Sequence, residues 1–285
     1  MTTPTESGVY SIGRSEYDAL PDRVNFSTLK KMDENPATYL HALLNKDDDT
    51  DARLEGRAVH TRVYEPELFK STYVVWEGRR SGPDWKAFLA KHVAEGHEVL
   101  TENMHADVIA VADAIRANAM AAPFLAGGAR EQTVLWTLRR PTLAAVDGYE
   151  VKMKGRLDFV RPDSIVDLKT CRTAKPRLFG KQANDLHYLA QAALYVDGLA
   201  AATNTPPRPY WIIAAEKKAP HVVQVYRVTE KQLHLGRARY WKWLDELNVC
   251  RRNGVYPGYA TAPMELTLPA YAMPDDEENF EQEAA

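Results

Sequence analysis

The sequence has few cysteines and no long apolar run. Among 285 residues the only thiols are those of Cys171 and Cys250, too few for a disulfide framework or a cluster with four cysteine ligands. We therefore expect a reducing compartment and no iron–sulfur cluster. No apolar stretch approaches the roughly 20 residues of a membrane span, and the polar start MTTPTESG lacks the charged and apolar regions of a signal peptide. These absences predict a cytoplasmic protein without membrane contact.

The sequence also lacks an excess of positive charge, since 36 basic and 39 acidic residues give a net charge of −3. The distribution of charge matters more than this sum, because the final segment, DDEENFEQEAA, contains six acids and no base. Without these six negative charges the net charge changes from −3 to +3. We predict that residues 263–285 form a disordered acidic tail, and a segment that mimics DNA or recruits a partner is the alternative.

The composition, with 45% hydrophobic and 26% charged residues, is that of a globular protein. We find no internal repeat or long linker, which favours one domain at 26–262 after an N-terminal extension at 1–25. In 26–45 we predict two short helices, with Ser27 as the N-cap of the first and Pro36 opening the second. Apolar periodicity predicts further helices at 52–64, 104–121 and 176–200.

The character of the sequence changes at Glu131, where segments rich in β-branched and aromatic residues begin. They predict strands at 131–140, 149–160, 164–170, 209–216 and 221–228. A capping box at Thr229 begins the last helix, which ends near Gly254. This order of elements predicts an α/β (mixed α+β) fold, with a central mixed sheet flanked by helices.

The segment GRLDFVRPDSIVDLKT predicts a hairpin that holds two acidic side chains. If Pro162 and Asp163 form a two-residue turn, Asp158 lies directly across from Asp167, with Cβ atoms about 4.5–5.5 Å apart, and Lys169 shares their face. Opposed like charges need a compensating cation. Mg²⁺, which binds one or two protein carboxylates, supplies it together with the lysine. From the spacing alone, a solvated surface hairpin is an equally good interpretation.

Two helices carry further polar residues. Gly56 and His60 lie one turn apart, so that Gly56 allows the close approach of another backbone and His60 projects past it. Tyr188, Gln191 and Tyr195 form one stripe of the helix at 176–200. Each observation also fits an ordinary structure, namely a histidine satisfied within its helix, or tyrosines that pack on an amphipathic face.

Together these residues form four ordered motifs, which are Gly56-Arg-Ala-Val-His60, Gly155-Arg-Leu-Asp158, Asp167-Leu-Lys169 and Gln191-Ala-Ala-Leu-Tyr195. The set resembles the RecB-type branch of the PD-(D/E)XK nuclease superfamily. The segments FSTLKKMDENPATY, GRAVHTRVYEPELF and VDLKTCRTAKPRLFGKQANDLHYLAQAALYVDG are similar to the RecE (exonuclease VIII) group of phages and prophages. The resemblance runs from about residue 26 to 260.

The resemblance implies a restriction-endonuclease-like core with an N-terminal helical elaboration. It implies Mg²⁺-dependent hydrolysis of linear double-stranded DNA from the 5′ end, with Mn²⁺ as a substitute ion, leaving a 3′ single strand. It further implies a RecT-like single-strand annealing protein as partner, a ring-shaped homo-oligomer, and the host cytoplasm as location if a phage encodes the chain. An endonuclease or single-strand nuclease, or a non-catalytic DNA-binding or assembly subunit, remains the alternative.

The resemblance also assigns roles at the site. It implies four metal ligands, which are the side chains of His60, Asp158 and Asp167 and the carbonyl of Leu168. Lys169 would orient the attacking water and help to deprotonate it, and Gln191 and Tyr195 would position the lysine or the phosphate. Glu131 is either a further acidic residue of the site or a charge at a strand end.

Basic and aromatic side chains provide candidate contacts with the DNA backbone. They are Arg79 and Arg80, in a loop between Gly78 and Gly82, and Arg172, Lys175 and Tyr188 after the hairpin. Contacts of this kind give affinity without sequence preference, as an enzyme that acts on DNA ends requires. A solvated loop explains Arg79 and Arg80 equally well.

Overall fold

A mixed sheet forms the centre of the computed structural model, which describes residues 4–45, 49–142, 148–260 and 262–269. Its strands are β1 (Gly8–Tyr10), β2 (Val24–Asn25), β5 (Ala129–Arg140), β6 (Tyr149–Val160), β7 (Ile165–Cys171), β8 (Tyr210–Glu216) and β9 (Val223–Val228). The spatial order is β1-β5-β6-β7-β8-β9, with β2 beside β6. β7 and β8 are parallel, as are β2 and β6, whereas the other neighbours are antiparallel.

Helices cover both faces of this sheet. They are α1 (Arg14–Asp18), α2 (Phe26–Leu29), α3 (Pro36–Leu44), α4 (Asp51–Tyr64), α5 (Pro66–Thr72), α6 (Gly82–Ala94), α7 (Glu102–Ala117), α8 (Pro176–Asp185), α9 (Tyr188–Thr203) and α10 (Glu230–Asn253). One core cluster joins the sheet to α9 and α10 through buried residues such as Trp136 and Tyr240, and the other joins it to α4 and α7 through residues such as Val59 and Val111. No helix within the described ranges is long and apolar enough to span a bilayer. The predicted mixed sheet with flanking helices is confirmed.

The predicted boundaries of the last helix are confirmed. The hydroxyl of Thr229 accepts the N–H of Gln232, and the side chain of Gln232 accepts the N–H of Thr229, which completes the capping box. Gly254 ends the helix at φ 66°, in the left-handed region that glycine tolerates. Strands β5 to β9 also lie where the sequence predicts them, within two residues at each end.

The predicted cap of the first short helix is wrong. Asn25, and not Ser27, caps α2, because its side-chain oxygen accepts the N–H of Thr28 and the hydroxyl of Ser27. A 3₁₀ turn at Lys30–Asp33 follows, and Pro36 opens α3 as predicted. Asn25 was missed because it ends β2, a two-residue strand with no periodicity of its own.

The single helix predicted at 176–200 is also wrong, since it is broken into α8 and α9. His187 separates them with φ 61°, which stops the α-helical path. Arg239 Nη1 lies 3.2 Å from Nδ1 of this histidine, and Asp33 Oδ2 lies 3.4 Å from its Nε2. Contacts with residues distant in sequence thus hold the break, and they place Tyr188 at the first position of α9.

Residues 66–101 contain elements that the sequence analysis did not assign. They are α5, α6 and two short parallel strands, β3 (Tyr73–Trp76) and β4 (Glu98–Thr101), which form a separate two-stranded sheet. The next helix, α7, begins at Glu102 and ends at Ala117, two and four residues earlier than predicted. Residues 270–285, which make up most of the predicted acidic tail, lie outside the described residues.

Candidate active site

The two strands of the hairpin at 155–170 separate after the first pairs beyond the turn, and we call the place where they separate the fork. Arg161 donates its N–H to the Ser164 carbonyl at 2.8 Å, and Phe159 pairs with Val166, which is the predicted register. Beyond this pair the two strands separate, because β6 remains paired with β5 whereas β7 pairs with β8. The two aspartates of the motifs follow the last paired residues and therefore lie at the fork.

The predicted pairing of the two aspartates directly across the strands is wrong. Asp158 and Asp167 are not a strand pair. Instead, Oδ2 of Asp158 accepts the main-chain N–H of Leu168 at 2.8 Å. A carboxylate thus takes the donor that a strand carbonyl would otherwise take, which ties Asp158 to β7 where the strands part.

Asp167 and Lys169 form a buried ion pair on one face of β7. Nζ of Lys169 lies 3.0 Å from Oδ1 and 2.7 Å from Oδ2 of Asp167, and the Asp167 residue is 2% exposed. The side chain of Tyr210 also interacts with the Asp167 carboxylate, but Oδ2 accepts no hydrogen bond of good geometry from the described residues and has the ammonium at 2.7 Å. It retains capacity to bind a further cation.

Asp167 affects the protonation of Asp158. Burial and the charge of Asp167 raise the pKa of Asp158 to about 7, despite the opposing effect of Lys169. Burial by itself would lower the pKa of Lys169, but Asp167 and Asp158 outweigh it, so that the pKa is raised. The lysine therefore stays charged at neutral pH, while Asp158 titrates near neutrality, and a bound metal ion would displace its proton.

His60 reaches the fork from α4. Its Nδ1 lies 3.4 Å from Oδ2 of Asp158, and burial lowers its pKa against the opposing charge of Glu131. A neutral imidazole is the form that binds metals. The expectation for Gly56 is wrong, because an added Cβ would lie 3.6 Å from Oγ1 of Thr170, an ordinary contact with a side chain and not with a close backbone.

Glu131 lies in the same cluster as His60 and Asp158. The sequence left open whether this residue belongs to the site. It lies within β5 between Arg130, paired with Phe159, and Gln132, paired with Leu157, and therefore opposite Asp158. Burial and Asp158 raise the pKa of Glu131, and Arg156 Nε donates to its Oε2 at 2.7 Å. The position of Glu131 in the sequence did not predict its place in this cluster, since acidic residues are common at the starts of strands.

The backbone of Glu131 is strained, with φ 48° inside a strand. A left-handed conformation costs a residue other than glycine about 1–3 kcal/mol and often marks a functional site. Ligand atoms of His60, Glu131 and Asp158 all lie within 4.8 Å of one another. These three donors suit a divalent cation that prefers oxygen and tolerates one imidazole.

Gly155, the first residue of the second motif, makes room for Tyr195. A Cβ at Gly155 would lie 2.9 Å from Cε1 of the tyrosine and 3.3 Å from the ring of Trp136. The pKa of Tyr195 is raised, mainly by burial, and its hydroxyl shares a hydrogen bond with Gln191. The second and fourth motifs therefore meet at the contact of Gly155 with Tyr195.

The candidate DNA contacts have different surroundings. Arg172 and Lys175 are exposed and directly follow β7, which carries Asp167. The ring of Tyr188 has Nζ of Lys169 at 5.1 Å from its centroid, a cation–π contact. Arg80, in contrast, pairs with Asp51 at 2.9 Å, so its loop is linked to the start of α4 and not to the aspartates.

Comparisons with known proteins agree with this fold. A family model described as a PDDEXK-like domain of unknown function (DUF3799) matches residues 25–263. No curated protein matches the sequence. The crystal structure of a "Putative exonuclease" from Eubacterium rectale is similar with 15% identity and a TM-score of 0.55, over 91% of this chain and 96% of that one. At this identity the similarity shows the fold alone.

A second solved structure, that of SSO0001, is 14% identical over 82% of this chain and 96% of that one. Its TM-score of 0.29 is too low to bear on the fold. The family model, in contrast, spans most of the sequence and includes all four motifs. The chain therefore belongs to the PDDEXK-like family DUF3799, within the PD-(D/E)XK nuclease superfamily.

Proposed function

We propose that the protein is a Mg²⁺-dependent deoxyribonuclease. The observation that carries the proposal is the buried set at the fork, where Asp158, Glu131 and His60 converge beside the Asp167–Lys169 ion pair. Burial and then the charge of a neighbouring carboxylate raise the pKa of both Asp158 and Glu131, so a bound cation would favour their charged forms. Membership in a PDDEXK-like family supports a hydrolytic role for such a set.

The residues present define the parts of the chemistry. A divalent cation held by His60, Asp158 and Glu131, with Asp167 and the Leu168 carbonyl as the further ligands that the resemblance implies, would lower the pKa of a bound water and offset charge on the phosphate. Lys169 keeps its proton and is fixed by Asp167, so it orients the attacking water or contacts a phosphate oxygen and does not act as a neutral base.

We further propose the RecE-like activity, which is 5′-to-3′ digestion of linear double-stranded DNA to leave 3′ single strands. The four motifs support it, and the name of the Eubacterium rectale protein agrees with an exonuclease. The same resemblance leads us to propose a RecT-like annealing protein as partner, a homo-oligomeric ring, and a cytoplasmic location. Exposed Arg172 and Lys175 would hold the DNA backbone beside the fork without reading its sequence.

Digestion of a duplex labelled separately at each 5′ and 3′ end tests this proposal. We expect Mg²⁺-dependent release of the 5′ label first, no attack on covalently closed circular DNA, and loss of activity in Asp167→Asn. Asp163→Asn is the matched control, because this aspartate lies in the same hairpin but is exposed at the turn and pairs with Arg161. Cleavage of the circle would favour an endonuclease, and an inactive wild-type protein that still binds ends would favour the non-catalytic subunit.

A further inference from the structure

A second group of metal-ligating side chains lies outside the fork, at the end of α6. It consists of His92, Glu95 and His97, and we call it the HEH cluster. All three belong to the short segment HVAEGH, which runs from the last turn of α6 to the residue before β4. The cluster shares no residue with the candidate active site.

The helix end itself brings the two histidines together. Gly96 has φ 85°, its N–H bonds to the Val93 carbonyl, and the N–H of His97 bonds to the His92 carbonyl at 2.9 Å. These are the two hydrogen bonds of a Schellman motif, which places the residue after the glycine beside the one five positions earlier. Apolar side chains usually form that contact. Here both positions are histidines, whose ring centroids lie 5.7 Å apart.

The ligand atoms of the cluster are close to tetrahedral spacing. Nδ1 of His92 lies 3.2 Å from Oε2 of Glu95, and Nε2 of His97 lies 4.0 Å from the same oxygen. Bonds of about 2.0–2.2 Å in a tetrahedron place neighbouring ligand atoms about 3.4 Å apart. Small side-chain rotations therefore suffice to close the site around an ion.

Two independent features show nitrogen lone pairs available for an ion. Nδ1 of His92 is buried, and although Oε2 of Glu95 lies 3.2 Å away, no residue in the described ranges forms a hydrogen bond of good geometry with it. Nδ1 of His97 lies 3.0 Å from the Ser71 carbonyl, a contact in which only a protonated nitrogen can take part. The lone pair of a neutral His97 is then on Nε2, the atom that faces Glu95, and a carbonyl partner of this kind is typical of metal-bound histidines.

We propose that the HEH cluster binds a Zn²⁺-type transition-metal ion through His92, Glu95 and His97, with water as the fourth ligand. Two imidazoles and one carboxylate favour Zn²⁺ over Mg²⁺, which prefers oxygen donors and octahedral geometry. The ion would join the ends of α5 and α6 to the start of β4. This link would hold the residue before β4, which pairs with β3, against the end of α6. The inference is independent of the proposed nuclease function.

Metal binding to the full chain tests the proposal, in an Asp158→Asn background that weakens the other site and in excess Mg²⁺. Titration calorimetry and metal analysis after dialysis should find one Zn²⁺ per chain, and Co²⁺ should give the intense visible absorption of a tetrahedral site. His92→Gln with His97→Gln should abolish both signals. Glu95→Gln, which leaves the helix end intact, should weaken binding at least about tenfold. His41→Gln, at an exposed histidine of α3, is the control and should change nothing.

The melting temperature of each variant without Zn²⁺ verifies that it is folded, and Zn²⁺ should raise this temperature only when the cluster is intact. The proposal is overturned if the background variant binds no Zn²⁺, or if one equivalent persists in the folded His92→Gln, His97→Gln variant.

Discussion

The carboxylate of Asp158 accepts the main-chain N–H of Leu168 at 2.8 Å, at the point where β6 and β7 separate. This bond gives the acidic side chain a structural role in addition to its position beside His60. It also fixes the geometry of the Asp167–Lys169 pair, since the residue between these two supplies the donor.

The first prediction concerns pH. The folded-state pKa of Asp158, about 7, is above its ordinary value of 3.8, so the folded protein binds this proton more tightly than the unfolded chain does. Its contribution to stability is complete below pH 3.8 and is lost as pH rises through about 7. We expect the melting temperature of the metal-free protein to fall between about pH 5 and 7.5 because of this group.

Mg²⁺ competes with the same proton, so its affinity should increase with pH up to about 7 and level off above it. Calorimetric titration of Mg²⁺ and thermal melts at several pH values measure both effects. In Asp158→Asn, whose amide oxygen can still accept the Leu168 N–H, the fall in melting temperature should be smaller. An identical pH profile in the two proteins would contradict the assignment.

The second prediction concerns Lys169. Lys169→Met keeps most of the side-chain volume but removes the charge that offsets Asp167, so kcat on linear duplex should fall at least about 100-fold. The buried carboxylate then lacks its cation, and the metal-free variant should unfold at a lower denaturant concentration. Lys152→Met, at an exposed residue of β6, serves as the control and should alter neither quantity. Wild-type turnover in the Lys169 variant would remove this residue from the mechanism.

Much of the fold followed from local patterns, but the site did so only in part. The turn at Pro162-Asp163 set the first strand pairs of the hairpin, and the four motifs identified most of the residues at the fork. The separation of the strands depends on β8, whose pairing with β7 joins residues about 45 positions apart. The left-handed backbone of Glu131 and the break at His187 also depend on tertiary contacts, which no local pattern shows.

The third prediction compares the two motif glycines. Gly155→Ala would place a Cβ 2.9 Å from Tyr195 and should destabilise the protein by about 1–3 kcal/mol through overpacking. Gly56→Ala adds only an ordinary 3.6 Å contact with Thr170 on a helical backbone, and should instead stabilise the protein by about 0.5–1 kcal/mol. Urea unfolding of both variants gives the comparison. If both variants were stabilised, or both destabilised, the contacts described for one of the two glycines would be contradicted.

The fourth prediction concerns DNA affinity. Arg172→Ala with Lys175→Ala should reduce the slope of log binding constant against log salt by up to about two, because each side chain is exposed and able to release one counterion. Arg80→Ala should change the slope less, since Asp51 already neutralises this guanidinium. Fluorescence anisotropy of a labelled duplex, with inactive Asp167→Asn protein at several salt concentrations, measures the slopes. If Arg80→Ala reduced the salt slope as much as the double variant does, the Arg80 loop would also contact DNA.

The final prediction separates two roles for Tyr188. If its ring holds Lys169 through the cation–π contact at 5.1 Å, Tyr188→Leu should lower kcat by roughly 2- to 30-fold, the equivalent of about 0.5–2 kcal/mol. Tyr188→Phe keeps the ring face and should retain most of kcat. If the tyrosine instead stacks on a DNA base, both variants should keep kcat, and the leucine variant should show a higher KM and weaker binding. The division between kcat and KM in single-turnover and steady-state digestion therefore assigns the residue to the lysine or to the DNA.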